Sequence, residues 1–332
     1  MADAQSKTAH VPSLSVVFSF RNEESVIPEL VKRVRDALSG ERGKGFLSGW
    51  ELVFVDDDSR DASEETLMAL DKGHGDIKIV RMSRCYGVSQ CALAGMEYST
   101  GDLVIYMDAD LQDPPEVIPR MLEAWRTEKN VDVVHTRRLS RGGESAVKLF
   151  STRVGYHILR SVATLDLPVE TGDFKLLTRR AVKHLVKLRE KNPYLRGMVH
   201  WIGFKQVSVN YHREARHSGE TKFPALGWRV LANFFESAVI SFSLKPLYLA
   251  GFMGLFAALT GFIVLAHTLV EYVRGHNIPG WTAIMVAVLF MGSFQLVALG
   301  VVGLYLGNVM LEAKGRPNYI VARTFGFSED AE

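Results

Sequence analysis

Two acidic clusters in this sequence stand directly behind apolar runs, and their residue types suit the chemistry of phosphates and hydroxyls. The first is Asp56-Asp57-Asp58-Ser59, which follows the run ELVFV at Glu51–Val55. Three consecutive acids repel one another, so stability does not explain them. Carboxylate acceptors suit ribose hydroxyls and the edge of a base, and Asp58, Ser59 or Asp61 also suits the start of the next helix. The second cluster, Met107-Asp108-Ala109-Asp110-Leu111-Gln112-Asp113-Pro114-Pro115-Glu116, follows DLVIYM. Asp108 and Asp110 can converge on one ion if the chain bends there, and Gln112 adds an amide oxygen. Such oxygen donors suit Mg²⁺ or Mn²⁺, and an ion so held would neutralise a leaving diphosphate. A lone Asp-x-Asp is often only a surface turn; its place after an apolar strand and before Pro-Pro argues against that here.

Cations follow in two groups, Arg137, Arg138, Arg141, Lys148 and Arg153, then Arg213, Arg216, His217 and Lys222 around Gly219-Glu220-Thr221. They suit a phosphate ligand or, more blandly, a basic face near an anionic membrane. Glu170-Thr171-Gly172-Asp173-Phe174-Lys175, placed between two helical segments, carries an acid beside a glycine and could line a cleft.

The elements that position these residues are legible as alternation. Strands are predicted at Leu14–Phe20, Glu51–Val55, Ile77–Arg81, Asp102–Met107 and Val131–His135, with helices at Glu23–Leu38, Ala62–Leu70 and Val88–Ser99. That pattern predicts an α/β fold, a mostly parallel sheet with helices on both faces. Ligands of such sheets sit beyond the carboxyl ends of the strands, where the acidic clusters fall. Cys85 and Cys91, six apart, form neither a CxxC pair nor a zinc pattern and read as reduced packing residues. A net charge of +2 excludes a global nucleic-acid-binding role. The polar first ten residues predict no secretory leader.

Farther on, Leu247–Val270 and Ile284–Leu306 lack Asp, Glu, Lys and Arg. Each exceeds the roughly 20 residues that cross a hydrocarbon core, so a two-helix hairpin over 246–308 is expected. Arg229 and Lys245 before it, and Lys314, Arg316 and Arg323 after it, place residues 1–222 and the tail 309–332 in the cytoplasm. Residues 223–245 read as an amphipathic helix lying on the membrane. Gly303 and Gly307, with Gly300 nearby, form a GxxxG that suits packing within one chain or between chains of a dimer or tetramer.

SVVFSFRNEE (15–24), ELVFVDDDSRD (51–61), MDADLQDPPE (107–116), TGDFKLLTRRAV (171–182), LRGMVHWIGFKQ (195–206) and SGETKFP (218–224) together resemble family 2 glycosyltransferases of the GT-A fold, and most closely the polyprenyl-phosphate glycosyltransferases. The resemblance implies inverting transfer of a sugar from a nucleotide-sugar, with UDP-glucose the first expectation, to polyisoprenyl phosphate at the cytoplasmic membrane face. It implies that Glu23, Asp56, Asp57, Asp108 and Arg84 hold the donor, and that Asp108, Asp110 and Gln112 hold the metal. Asp110 and Asp173 would be catalytic, Asp173 positioning rather than deprotonating, and Arg137, Arg153, Arg216 and Lys222 would bind the lipid phosphate. Two departures stand out: DDDS puts Asp58 where DDGS is common, and SRCYG stands for SRNFG. Transfer to another acceptor, processive synthesis and a decayed membrane scaffold are the competing readings. No QxxRW supports the second, and the intact DADLQD opposes the last.

Overall fold

A computed structural model of the chain describes residues 11–138, 171–212, 245–275 and 280–327. They divide into two units: 11–138, 171–212 and 317–327 in one, and 245–275 and 280–316 in the other.

The first unit is built on one eight-stranded sheet. Its strands are β1 (Ser13–Phe20), β2 (Gly49–Asp56), β3 (Ile77–Met82), β4 (Leu103–Asp108), β5 (Val133–Arg138), β6 (Thr171–Thr178), β7 (Gln206–Tyr211) and β8 (Val321–Phe325). Their order is β7-β5-β6-β4-β1-β2-β3-β8. The pairs β1–β2, β1–β4, β2–β3 and β5–β7 are parallel; β6 runs antiparallel to both β4 and β5, and β8 antiparallel to β3.

The central strands are apolar without alternation because both faces are covered. On one face Phe18 stacks on Phe54 at 4.5 Å between ring centroids. Against this face α1 (Ile27–Gly43) buries Leu30, Val34 and Leu38 at i, i+4 and i+8. The opposite face packs α3 (Val88–Tyr98) so closely that a Cβ at Gly95 would lie 2.3 Å from Val17 Cγ1 and 2.9 Å from Val55 Cγ2. Ala92, Gly95 and Met96 of α3 are therefore small or flexible where the helix meets the strands. The remaining helices of this unit are α2 (Ser63–Asp71), α4 (Ile118–Thr127), α5 (Arg179–Val186) and α6 (Leu195–Trp201).

Three strands depart from the sequence reading. The segment around Asp173 is strand β6, not a link between helices. β7 had no predicted counterpart. Part of the expected tail is β8, which closes the β3 edge of the sheet.

The second unit consists of α7 (Lys245–Val273) and α8 (Trp281–Ala313). Both are long and apolar enough to cross a membrane, over Leu247–Glu271 and Ala287–Ala313. They present Phe252, Phe262, Leu296 and Leu299 outward, an apolar surface that soluble monomers rarely expose. Phe256 meets Phe294 at 6.4 Å between them. The expected interfacial helix over 223–245 lies outside the described residues, apart from Lys245 in α7.

Candidate active site at the carboxyl edge of the sheet

β1, β2 and β4 each end in a loop with a left-handed non-glycine residue, Asn22 (φ 55°), Asp58 (φ 61°) and Leu111 (φ 56°). Asparagine and aspartate tolerate that conformation; leucine there costs about 1–2 kcal/mol. Such strain concentrates where a loop must present groups to a ligand. The first two loops are tied together: Ser59 Oγ accepts from Asn22 N–H at 3.0 Å, and Asn22 Oδ1 accepts from Arg60 N–H at 2.8 Å. Ser63 Oγ accepts from the Glu23 N–H at 3.1 Å, fixing the half-buried Glu23 beside them.

The left-handed backbone at Asp58 is a conformation that suits glycine, the residue of the DDGS that this segment resembles. Asp58→Gly should stay within about 1 kcal/mol of the parent, whereas β-branched Asp58→Val should lose about 2 kcal/mol. Thermal unfolding of the two variants checks this, and equal melting temperatures would show that the loop does not need a left-handed residue.

The three acids of that loop have different tasks. Asp56 is fully buried. It accepts from Ser59 N–H at 2.7 Å and from Arg81 Nη1 at 3.2 Å; burial pushes its carboxyl up against those partners. Asp57 accepts from Tyr86 N–H (2.6 Å), Gly87 N–H (3.1 Å) and Cys85 Sγ (3.2 Å), so it holds the loop after β3. Cys85 is exposed, which corrects its reading as a packing residue; Cys91 is buried as expected. Arg84 is exposed, with its guanidinium 4.1 Å from the centroid of the Tyr86 ring.

Beyond β4, the second cluster crowds like charges. Burial, then Asp173, Asp110 and Asp113, push the Asp108 carboxyl up to about 7. Tyr106 Oη donates to Asp108 Oδ1 at 3.0 Å and pairs with Ser19 Oγ at 2.9 Å. The turn itself is closed by Gln112 N–H donating to Asp110 Oδ1 at 3.1 Å. Asp113 is buried and accepts from Tyr211 Oη, so it braces the turn. Arg33 and Glu116 add a bidentate pair at 2.7 Å. Among the described residues, no three His, Cys, Asp or Glu side chains are grouped to hold a metal.

Asp173 reaches this cluster because β6 is antiparallel to β4. Tyr106 pairs with Lys175 in register, which brings the start of β6 to the end of β4. Asp173 accepts from Arg196 of α6 at 2.9 Å and 2.5 Å. Lys175, two residues on and on the same face, is 1% exposed. Burial lowers its pKa to about 8; Asp173 opposes the fall and Arg196 adds to it. Arg196 and Tyr106 carry no role in the sequence reading, and Lys175 enters it only as the end of the Glu170–Lys175 segment. Their signal was a charge or hydroxyl inside a strand or beside a helix, which reads as surface when burial is unknown. Arg137, one residue before the end of β5, is exposed; Arg153, Arg216 and Lys222 lie outside the described residues. The described structure thus brings Asp108, Asp110 and Asp173 together and sets Asp56, Asp57 and Arg84 around the neighbouring β2–β3 loops.

A doubly covered α/β sheet with its acids gathered at the carboxyl edge is the architecture of a GT-A-type glycosyltransferase. The chain belongs to glycosyl transferase family 2, whose description matches residues 15–186. It is 36% identical over 313 residues to "Uncharacterized glycosyltransferase YkcC" of Bacillus subtilis (strain 168), covering 94% of each chain. It is 34% identical over 309 residues to "Bactoprenol glucosyl transferase" of Shigella phage SfX, covering 93% of this chain and 98% of that one. The crystal structure of glucosyl-3-phosphoglycerate synthase from Mycobacterium tuberculosis with phosphoglyceric acid aligns at a TM-score of 0.45 and 20% identity, over 68% of this chain and 80% of that chain.

Proposed function

We propose that this protein transfers a sugar, with inversion, from a nucleotide-sugar to polyisoprenyl phosphate at the cytoplasmic face of a membrane, and that UDP-glucose is the donor to test first. The observation that carries the reading is the β4–β6 register, which sets Asp173 at the start of β6 beside Asp108 and Asp110 at the end of β4; burial and these like charges push the Asp108 carboxyl up. Carboxylates held together at that cost suit a site where a cation arrives. The phage relative's name supplies the acceptor class, and the two membrane-length helices supply a means of meeting a lipid.

The donor oxygens of Asp108, Asp110 and Gln112 fit Mg²⁺ or Mn²⁺, because such ions accept a few protein oxygens and fill the remaining positions with phosphate and water. Bound there, the ion would supply charge neutralisation to the leaving diphosphate. Glu23, Asp56, Asp57 and Arg84 would shape the nucleotide end, Asp56 and Asp57 chiefly by holding the loops. Lipid phosphate is already anionic, so no strong base is required. Asp173, clamped by Arg196, would position the acceptor for in-line attack at the anomeric carbon, with Arg137, Arg153, Arg216 and Lys222 as its phosphate ligands. Residues 1–222, joined by β8 on the edge of their sheet, would form the catalytic domain, 223–245 an interfacial helix and 246–308 the membrane hairpin. In the described structure a Cβ at Gly300, Gly303 or Gly307 would meet nothing within 4 Å, a surface suited to a second copy in a dimer or tetramer.

The test is purified protein with undecaprenyl phosphate and a panel of UDP- and GDP-sugars in Mn²⁺ or Mg²⁺, read by mass spectrometry of the lipid. Asp110→Ala should lower transfer about a thousandfold with an unchanged melting temperature. Full activity in that variant would show that the turn is only structural.

A further inference from the structure

The strand that follows the second apolar helix puts a charge into the nucleotide end of the sheet. β8 pairs with β3 so that Arg323 lies opposite Arg81. Glu64, near the start of α2, is 3% exposed and accepts from both: Arg81 Nη1 at 2.6 Å and Arg323 Nη2 at 2.7 Å. Arg81 in turn donates to Asp56 at 3.2 Å and to the Ser59 carbonyl at 3.1 Å, and lies 3.9 Å from Asp58. Three carboxylates, Asp56, Asp58 and Glu64, thus share two guanidiniums, and one of those comes from β8.

We infer that Arg323 is a positioning residue for the donor: by neutralising Glu64 it leaves Arg81 free to hold Asp56 and the Ser59 carbonyl, and so keeps the β2 loop in its nucleotide-binding form. This rests on the reading above that the Asp56 loop meets the nucleotide. The competition is a matter of distance. Arg81 is nearer to Glu64 than to Asp56, so a buried Glu64 without Arg323 draws the Arg81 guanidinium toward itself. Burial pushes Glu64 up, and Arg323 first and Arg81 second hold it below the usual carboxylate range, so it is charged at neutral pH. Without Arg323 the cluster carries one cation for three acids. Its surplus negative charge then opposes an arriving diphosphate, and the Asp56 carboxylate loses its clamp. Gly326 is built for this strand: at φ 78° it passes so close to β3 that a Cβ would lie 2.6 Å from the Ile77 carbonyl oxygen.

The experiment measures binding of UDP and of GDP, each with Mg²⁺, to full-length protein in detergent by titration calorimetry. Arg323 is 63% exposed, so Arg323→Ala leaves a folded chain. It should weaken the nucleotide that the parent binds by about tenfold, and Arg323→Lys should restore at least half of that loss. Lys205→Ala removes the same charge from an exposed surface pair with Glu128 and should leave affinity within twofold. A purely structural role for β8 would lower the melting temperature of Arg323→Ala while leaving nucleotide affinity within twofold, and that result overturns the inference. Asp56→Asn separates the two ideas. If it weakens binding and Arg323→Ala does not, only the inference falls. If Asp56→Asn binds like the parent, the nucleotide does not meet the β2 loop, and both fall.

Discussion

Asp108→Asn is expected to melt higher than the parent at pH 8 and to transfer no sugar. In the folded chain burial, then Asp173, Asp110 and Asp113, raise the Asp108 carboxyl from 3.8 to about 7. Between those two values the folded state retains a proton that the unfolded state has released. Stability therefore falls as pH rises from about 4 to about 7, and the whole cost is present above that. A gap of about three pKa units sets a ceiling of about 4 kcal/mol. Asparagine cannot ionise, and its Oδ1 still accepts from Tyr106 Oη, so the variant escapes the cost while keeping the bond. Its advantage should be largest at pH 8, shrink toward pH 5, and shrink at pH 8 when Mn²⁺ is added, because the parent alone gains from the cation. Transfer should fall at least about a thousandfold, since a carboxylate aimed at a developing charge is lost. Melting curves in chelator across pH 5–8 check the first half and initial rates the second. A pH-independent difference in melting temperature would show that the four acids do not crowd one another.

How much of this was legible in the sequence follows from which residues are apolar. β1 to β5 and α1 were legible because Val, Leu, Ile and Phe dominate their buried positions, and α3 because Cys91, Ala92, Leu93, Ala94 and Met96 keep its buried face apolar. β6, TGDFKLLT, was misread because its strand face toward the acids carries Asp173 and Lys175, and polar residues at buried positions erase the period that marks a strand. β8, VARTF, is five residues long and mostly exposed, so nothing local separates it from a tail; only pairing with β3 makes it a strand. The acidic clusters were visible because Asp after an apolar strand is unusual. Their partners Arg81, Arg196 and Lys175 were not, because a single cation is ordinary until the fold buries it beside an acid. Asp57 illustrates the remaining limit. Residue type gave a carboxylate acceptor correctly, but only the structure shows that the donors are the backbone N–H groups of Tyr86 and Gly87.

The site's opposite charge makes the mirror-image prediction. Lys175→Met is expected to raise stability by about 3 kcal/mol at pH 7 and to lower transfer by about ten- to a hundredfold. Burial lowers the Lys175 amine from 10.5 to about 8, so below pH 8 the folded protein carries a buried cation at full cost. That cost fades as pH rises from about 8 to about 10.5, because the folded state releases its proton first. The advantage of methionine should fade over the same interval. The groups that face the amine are Asp173, which favours its charge, Arg196, which opposes it, and His135 and Tyr106 on the flanking strands. His135, stacked on His200 at 4.7 Å, is held neutral by burial and then by Lys175, its pKa lowered to about 3. Tyr106 is raised well above its ordinary value by burial and keeps its proton. Lys175 is thus the group in this nest that changes charge near pH 8. If its cation holds Asp173 in place for an anionic acceptor, the parent's rate should decline as pH passes 8, and that decline should vanish in Lys175→Met and move to higher pH in Lys175→Arg. A parent rate that stays flat from pH 7 to 9.5 would mean that the buried amine serves only the packing of β6. A buried charge retained at a cost of about 3 kcal/mol for packing alone would be hard to explain, because methionine fills the same volume without that cost.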